Sequence, residues 1–543
     1  MLFLYSKGFY VKIVDRINYR VSDDYRFNDM NAIGFNNFRR FLEFPDLEFG
    51  GINLMIGSNN SGKSTIVKAL LLMRDFLTQK IQKKSENSGL IIPEFRFDSS
   101  FIHIGSFNRA FCNKCAAGQN IMSFATEIDH FRFEVEIKGD RVKDTVPPFV
   151  TKLSIKDNKR NILLEFDFSL LLMKASFFND NLEDKTHDDK DSFIQEKKLL
   201  EEELKKVKSD VSKLNDIVRI NDEILRIDAK LKTFNNIDDH NELSASFTIV
   251  PSETVPGRLM FPELVRLFCK YSTGGKISEF APLVKNTEDN KVILYGKSQI
   301  INDMANELEI LLYSEQIEYI YAHSASQQVL YQIKDSNDFL SKTVHDFFMS
   351  RISEDDDEYK FVKEWMAKFN IGISFNIDTI AGEAYQVSIM GFDGNVVQLA
   401  DEGMGTIQMM ILLFRLATLI RRYHGYQTHV IILIEEPEQN LHPAYQSLLA
   451  DLFFEVNSNY GYRFIIETHS EYIVRKSQVI VATKFAEDLE NNPFRTYYMP
   501  KDRIPYKMIY TCSGRFENNF DEGFFDEAGK SNLILLKKER GMI

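Results

Sequence analysis

The chain has 543 residues and a formal net charge of −13, with 44% hydrophobic and 27% charged residues. This length accommodates two to four conventional domains, or one large domain that carries insertions. An acidic chain is not attracted to nucleic acid by its overall field, so any DNA contact would need a local basic patch. The four cysteines are too few for a disulfide scaffold, and no stretch approaches eighteen uninterrupted apolar residues. We therefore expect a cytoplasmic protein that does not span a membrane.

The first motif is a glycine-rich segment with the sequence GSNNSGKST, which matches the G-x-x-x-x-G-K-[ST] pattern of phosphate-binding loops. The preceding residues 51–56 predict a strand, and residues 66–73 predict an amphipathic helix. This order favours a nucleotide site, because loop N–H groups and a helix N-terminus together bind phosphate. The predicted ATP-binding residues are Gly57, Asn59, Asn60, Ser61, Gly62, Lys63, Ser64 and Thr65.

Three of these residues have more specific predicted roles. The Lys63 ammonium is expected to contact the β- and γ-phosphates, and the Ser64 hydroxyl is expected to bind Mg²⁺. Asn60 is placed to help position the γ-phosphate or the attacking water. Arg39 and Arg40, upstream of the predicted strand, either approach the nucleotide or form a surface pair.

Residues 181–245 contain no glycine or proline and are dense in Lys, Glu and Asp. Within them, two apolar seams with heptad spacing run one residue out of phase. The seams are Leu200, Leu204, Val207, Val211, Leu214 and Val218, and then Ile217, Ile220, Ile224, Ile227 and Leu231. The phase break favours an antiparallel coiled-coil hairpin over the alternative, a single long helix. Such a hairpin is either a surface elaboration or a docking arm for other subunits.

A second pair of glycines precedes the apolar run 409–419, in the segment LADEGMGTIQ that starts at Leu399. Glycines at the start of a helix form another N-terminus suited to anions. One nucleotide does not need two such cradles, so we expect this one to serve a nucleotide held by another copy of the chain. Gly403, Gly405 and Thr406 are the candidate contacts.

Residues 430–434 form an unbroken apolar run that is typical of a strand buried on both faces of a parallel sheet. Two carboxylates follow it directly. Glu435 is predicted to hold the Mg²⁺ shell, in the place usually taken by Asp, and Glu436 to accept a proton from the attacking water. A second apolar strand leads into Thr468-His469-Ser470, and we expect His469 to contact the γ-phosphate from a neighbouring strand.

In order, these elements resemble the Walker A, signature, Walker B and histidine-switch motifs of ABC/SMC-type ATPase heads. The resemblance implies an α/β P-loop fold, ATP and Mg²⁺ as cofactors, and heads that join as a homodimer or higher oligomer. The signature departs from the usual LSGGQ, and there is no clear Q-loop glutamine. A GSF element at residues 105–107 occupies that region instead, as in bacterial ATPases of the overcoming-lysogenization-defect group. By the same resemblance, Asn440 lies in the D-loop that faces the partner.

Four segments follow from this interpretation: a first ATPase lobe at 1–180, the hairpin at 181–245, a connecting region at 246–395 and a second lobe at 396–543.

Residues 470–543 contain no Asp-x-Asp pair, so we expect no Toprim nuclease in the chain. The chain thus resembles the ATPase subunits of bacterial anti-phage systems, such as Septu and its retron-associated relatives. That resemblance implies a separate nuclease effector, with the HNH type favoured, and leaves nucleic acid open as a further partner. The alternatives are a defence ATPase with a Toprim effector, as in the PARIS system, and a DNA-repair ATPase that acts on DNA ends.

Overall fold

The structure is a computed structural model. It describes residues 31–78, 80–82, 95–98, 102–116, 118–128, 131–142, 147–156, 160, 162–168, 172–178, 194–195, 197–202, 204, 220, 224, 227, 242–249, 258–260, 284–286, 316–320, 328–333, 338–423, 430–501, 503–521 and 524–540.

The described residues form strands and helices in a mixed α/β arrangement, as the sequence predicts. The strands are β1 (Asn31–Phe38), β2 (Phe41–Phe49), β3 (Ile52–Gly57), β4 (Lys80–Gln82), β5 (Ile121–Ile128), β6 (Phe131–Lys138), β7 (Phe149–Lys156), β8 (Ile162–Asp167), β9 (Leu172–Phe178), β10 (Glu242–Ile249), β11 (Arg258–Met260), β12 (Val284–Asn286), β13 (Gln316–Ile320), β14 (Tyr331–Gln332), β15 (Ser374–Ile380), β16 (Ala384–Met390), β17 (Val396–Gln398), β18 (Val430–Glu435), β19 (Arg463–Thr468), β20 (Phe494–Met499) and β21 (Tyr506–Met508). The helices are α1 (Lys63–Thr78), α2 (Phe107–Ala110), α3 (Phe339–Met349), α4 (Asp357–Lys368), α5 (Met404–Tyr423), α6 (Pro443–Tyr460), α7 (Glu471–Lys484) and α8 (Glu527–Glu539).

A six-stranded sheet lies at the centre, in the order β13-β18-β19-β3-β20-β21. Its first five strands are parallel, and β21 pairs antiparallel with β20. The strand β3, which leads into the glycine-rich loop, therefore lies between two strands from the other end of the chain. The first and last predicted segments consequently contribute strands to one sheet.

A nine-stranded antiparallel sheet covers one side, in the order β12-β10-β9-β8-β7-β6-β5-β1-β2. Strands β14 to β17 form a small sheet near the helices, and β4 pairs with β11. The strand β10 starts at Glu242, inside the segment that the sequence assigns to the hairpin.

The central sheet is buried on both faces because its apolar residues alternate between two cores. On β18, Ile431 and Leu433 pack into the core shared with α1 and the antiparallel sheet. Ile432 and Ile434 pack into the second core, among helices α3 to α7. All four are at most 5% exposed, so the predicted doubly buried strand is confirmed. Such burial explains why β18 is an unbroken apolar run rather than an alternating one.

The helix α5 runs through the second core, and every residue from Ile407 to Ile420 is buried. A helix that is apolar on all sides belongs in a protein interior or a membrane. Among the described residues, α5 alone is long and apolar enough to cross a membrane, and 78% of its most apolar window is buried inside the protein. It is the central core helix, and its N-terminal end carries the predicted signature.

Most of the predicted hairpin, residues 181–245, lies outside the described residues. The described positions between 194 and 227 are helical, and five of them belong to the predicted seams. Leu200 and Ile224 are half-buried, and the other three are buried. Leu204, Ile220 and Ile227 are 9%, 0% and 5% exposed, respectively. This burial agrees with the seam positions, and the choice between a hairpin and one long helix stays a prediction.

Candidate nucleotide-binding site

The carboxyl ends of three parallel strands place the predicted site residues at one edge of the central sheet. The strand β19 lies between β18 and β3, paired with both. The residues that follow β3 are the glycine-rich loop, those after β18 are Glu436 to Glu438, and those after β19 are His469 and Ser470. Ligands in open parallel sheets bind at this edge. The strand before His469 neighbours the strand before Glu436, as the sequence predicts.

The glycine-rich loop needs its glycines because it is closely surrounded. A Cβ on Gly57 would lie 2.5 Å from the Met499 carbonyl oxygen and 2.6 Å from Ser61 Oγ. Gly62 has a φ of +100°, and a Cβ there would lie 2.6 Å from the Phe41 ring. The loop then passes into α1 at Lys63, so the helix N-terminus points its N–H groups at the loop. This is the geometry of a phosphate cradle.

Lys63 lies inside the loop rather than outside it. Its side chain is 3% exposed, and its ammonium donates to the carbonyls of Gly57 and Ser58, at 3.0 and 3.1 Å. Burial lowers the pKa of Lys63, and the nearby Glu467, Glu436 and Glu438 oppose that effect. The predicted phosphate-binding cation is therefore held at the centre of the loop.

The other predicted loop residues differ in exposure. Asn59 and Asn60 are exposed, and Asn60 has a φ of +61°. The Asn60 carbonyl accepts a hydrogen bond from the Arg40 guanidinium, which places Arg40 against the loop. The Thr65 N–H donates to the Gly62 carbonyl at 3.0 Å. Ser61 is buried, and its hydroxyl has no hydrogen-bond partner among the described residues. Ser61 thus offers an unused donor within the cradle.

Ser64 contacts a carboxylate that the sequence reasoning did not select. Its hydroxyl donates to Glu467 Oε1 at 3.1 Å, and Lys63 Nζ lies 3.9 Å from the same oxygen. The other oxygen, Glu467 Oε2, is buried and has no hydrogen-bond partner within the described ranges. Burial, followed by the negative charge of Glu435, raises the pKa of Glu467 to about 7. Glu467 is the last residue but one of β19, and it pairs in register with Glu435 on β18.

Glu436 is held in an unusual backbone conformation, with a φ of +44°. Its N–H donates to the Glu467 carbonyl at 2.7 Å, so the turn after β18 is fixed to β19. Its carboxylate accepts a hydrogen bond from the Gln439 amide, and the other oxygen lies 3.6 Å from His469 Nε2. Strained backbone of this kind is found where surrounding contacts impose it, often at functional sites.

Glu438 positions the loop that carries His469. Its Oε1 accepts a hydrogen bond from the His469 N–H at 2.6 Å, while burial raises the pKa of Glu438. The His469 ring is about one-third exposed, and burial lowers its pKa. The histidine is therefore biased toward the neutral form, which can accept or donate a hydrogen bond.

The predicted signature lies at the open N-terminal end of α5. Among the residues that the structure describes, no heavy atom lies within 4 Å of a Cβ placed on Gly403, whereas one on Gly405 would lie 2.6 Å from the Asn440 carbonyl oxygen. The buried Gln408 amide donates to the Pro437 carbonyl at 3.1 Å and accepts from Asn440 at 3.5 Å. Gly405 and Gln408 thus fix the predicted D-loop in the same chain. Gly403 and Thr406 lie at least partly exposed.

Three residues were missed at the sequence level: Glu467, Glu438 and Gln408. A signal for Glu467 was present, because an acidic residue at the end of an otherwise apolar strand repeats the pattern of Glu435. Glu438 and Gln408 gave no such signal, since their roles depend on backbone groups of other segments. The GSF element has a structural role here: Phe107 is buried in the first core, and the Gly105 N–H donates to Asp98 at 2.8 Å.

The donor set fits a divalent cation bound with a nucleotide. Oxygen and nitrogen atoms of Glu436, Glu467 and His469 lie within 4.8 Å of one another. The charges of Glu435 and Lys63 act on Glu467, and the charge of Lys63 also acts on His469. Several carboxylates against one ammonium, with an unpartnered buried oxygen on Glu467, leave a surplus of negative charge. Carboxylate oxygens and a serine hydroxyl are suitable ligands for Mg²⁺.

A parallel sheet, a glycine-rich loop that opens a helix, and carboxylates at the ends of neighbouring strands together define a P-loop nucleotide-binding protein. Residues 30–474 match the family model described as an AAA ATPase domain. The chain therefore belongs to the AAA ATPase domain family. Comparison with curated proteins found no significant match.

The chain is also similar to solved structures of SMC head domains. One is the Smc head domain from Pyrococcus furiosus with an extended coiled coil, bound to the C-terminal domain of ScpA. It is 11% identical with a TM-score of 0.31, and the match covers 94% of this chain and 99% of that chain. Another is the SmcHead bound to the C-winged helix domain of ScpA, 12% identical with a TM-score of 0.33, covering 88% and 96%. A third is the Smc head domain from Pyrococcus yayanosii, 12% identical with a TM-score of 0.34, covering 89% and 98%.

Proposed function

We propose that this ATPase hydrolyses ATP at sites formed between two copies of itself. In each site, the glycine-rich loop of one copy binds the phosphates and the signature end of α5 from the other copy covers them. The observation that carries the proposal is the open N-terminus of α5. Gly403 has free space around it, while Gly405 and Gln408 on the same turns hold the D-loop in place. This end of α5 therefore packs against the D-loop through Gly405 and Gln408 and leaves the space around Gly403 open among the described residues.

The residue roles follow from the chemistry at the sheet edge. Lys63 stabilises negative charge on the phosphates, and Ser64 and Glu435 hold Mg²⁺, which supplies charge neutralisation when bound. Glu436 takes the proton of the attacking water, and His469, 3.6 Å from it, contacts the γ-phosphate. Gly57, Asn59, Asn60, Ser61, Gly62 and Thr65 line the cradle, and Gly403, Gly405, Thr406 and Asn440 belong to the half-site that faces the partner.

A direct test is the Glu436→Gln variant, which removes the proposed base while it keeps the shape of the side chain. We expect turnover to fall while ATP binding persists, so that ATP-bound dimers accumulate and are detected by light scattering. Unchanged turnover in this variant would show that Glu436 is not the base.

At the level of the cell, we propose a cytoplasmic anti-phage complex in which this ATPase regulates a separate nuclease, with the HNH type favoured. The support is the resemblance of the motifs to Septu and retron-associated ATPases. The test is affinity purification from the native host with ATP present, followed by mass spectrometry. A stoichiometric nuclease in an assembly larger than a dimer is the expected result. A Toprim protein would support the PARIS-like alternative, and a bare dimer that retains only DNA would support a repair ATPase.

A further inference from the structure

We propose that Glu467 is a second acidic ligand of the nucleotide-bound Mg²⁺, acting beside Glu435 on the neighbouring strand. The inference rests on the proposed ATPase function and adds a residue to its metal site. P-loop ATPases usually supply one carboxylate from the end of the Walker B strand. Here β19, which lies between the Walker B strand β18 and the loop strand β3, carries a second carboxylate, Glu467, near its C-terminal end.

The contact between Ser64 and Glu467 supports a shared metal site. The hydroxyl expected to bind Mg²⁺ donates to Glu467 Oε1 at 3.1 Å. The carboxylate is therefore already at the serine that a P-loop uses for its metal. A cation that binds the serine oxygen meets Glu467 at the same position.

One carboxylate oxygen of Glu467 is also unsatisfied. Glu467 is 5% exposed, and its Oε2 has no hydrogen-bond partner among the residues that the structure describes. Burying a carboxylate oxygen without a partner is costly, because no water or donor replaces its lost hydration. Glu467, Glu436 and His469 present ligand atoms within 4.8 Å of one another, so the oxygen lies in a cluster that a cation can satisfy.

The register of β18 and β19 also supports a shared metal site. Glu435 and Glu467 are paired residues on adjacent parallel strands, and the side chains of such pairs project from the same face of the sheet. Glu435 has the second largest effect on Glu467, after burial, so the two negative charges are close. Two like charges held together in a buried place favour a divalent cation between or beside them.

The alternative role for Glu467 is purely structural, in which it only orients the Ser64 hydroxyl and the loop. The two roles predict different results in metal-free solution. If Glu467 has only a structural role, its substitution weakens ATP binding with or without metal. If Glu467 is a metal ligand, its substitution reduces only the increase in ATP affinity that metal provides.

The experiment measures ATP affinity of the full chain by calorimetry, in EDTA and with Mn²⁺, and follows bound Mn²⁺ by electron paramagnetic resonance. The variants are Glu467→Gln and Glu467→Asp, with Glu471→Gln as the control. Glu471 is a partly exposed residue at the start of the following helix, and it pairs with Arg475. We expect Glu467→Gln to weaken Mn²⁺ binding by at least about tenfold, judged by the effect of removing metal-site partners. Its affinity for ATP in EDTA should be unchanged or higher, and Glu467→Asp should restore part of the metal affinity.

Equal loss of ATP affinity in EDTA and in Mn²⁺ would overturn the inference in favour of the structural role. Mn²⁺ binding equal to that of the wild type and of Glu471→Gln would also overturn it, and would leave the proposed ATPase function standing. If the wild-type protein bound no ATP under either condition, the proposed function and this inference would both fail.

Discussion

The N-termini of α1 and α5 both follow glycine-containing segments, but their surroundings differ. At the start of α1, a Cβ on Gly57 or Gly62 would collide with atoms of other segments, and Lys63 is almost fully buried. At the start of α5, no atom in the described part of the chain lies within 4 Å of a Cβ placed on Gly403. The first helix end is enclosed by its own chain and the second is open. This contrast supports the proposal that each chain holds one complete phosphate cradle and one half-site that a second copy completes.

The largest loss of turnover should follow from a substitution at the enclosed N-terminus of α1. Lys63→Ala removes the buried ammonium that the loop carbonyls surround, and we expect turnover to fall by about 100–1,000-fold, as for other preorganised charge donors. ATP affinity should also fall, measured by calorimetry. Lys68→Ala, on the same helix, is the control and should behave as the wild type. A Lys63→Ala protein with normal ATP affinity would show that the enclosed end is not the phosphate site.

The second effect concerns the carboxylate that faces His469. Glu436→Gln should lower turnover by about 100–10,000-fold, the range for losing a general base. ATP affinity should persist, because the phosphate cradle is untouched. Stopped-flow measurement of phosphate release separates the two quantities. A loss of ATP affinity as large as the loss of turnover would place Glu436 in binding instead.

The third effect concerns the open end. Gly403→Leu adds a side chain where this chain has free space, so the melting temperature and the ATP affinity of the single copy should stay near those of the wild type. Turnover should fall by at least about tenfold, because the added side chain fills the space proposed for the nucleotide held by the other copy, and misplaced reacting groups lose rate steeply. Normal turnover in Gly403→Leu would remove the distinction between the two helix ends.

The smallest effect should be on stability. Gln408→Leu leaves the Pro437 carbonyl without its donor, which should cost about 1–3 kcal/mol of unfolding free energy for an unsatisfied buried group. Chemical denaturation measures this loss. A variant as stable as the wild type would show that Gln408 does not hold the D-loop.

The sequence predicted the motifs and the strands that carry them, because glycine spacing and unbroken apolar runs are local signals. It could not predict that β3 inserts between β19 and β20, since strand order depends on packing between distant segments. For the same reason it named Glu435 as the carboxylate of the Mg²⁺ shell and did not select Glu467, which contacts Ser64 in the structure. The choice between them depends on which strand lies next to β3, and the sequence contains no local sign of that neighbour.

The most direct test of the shared site is complementation between two impaired variants, Lys63→Ala and Gly403→Leu. If each site combines the loop of one copy with the signature end of another, a mixed dimer regains one intact site. With free exchange, half of the dimers are mixed, so an equimolar mixture should recover about a quarter of wild-type turnover under two-fold symmetry. A co-expressed mixture that contains mixed dimers and stays as inactive as either variant alone would contradict the account.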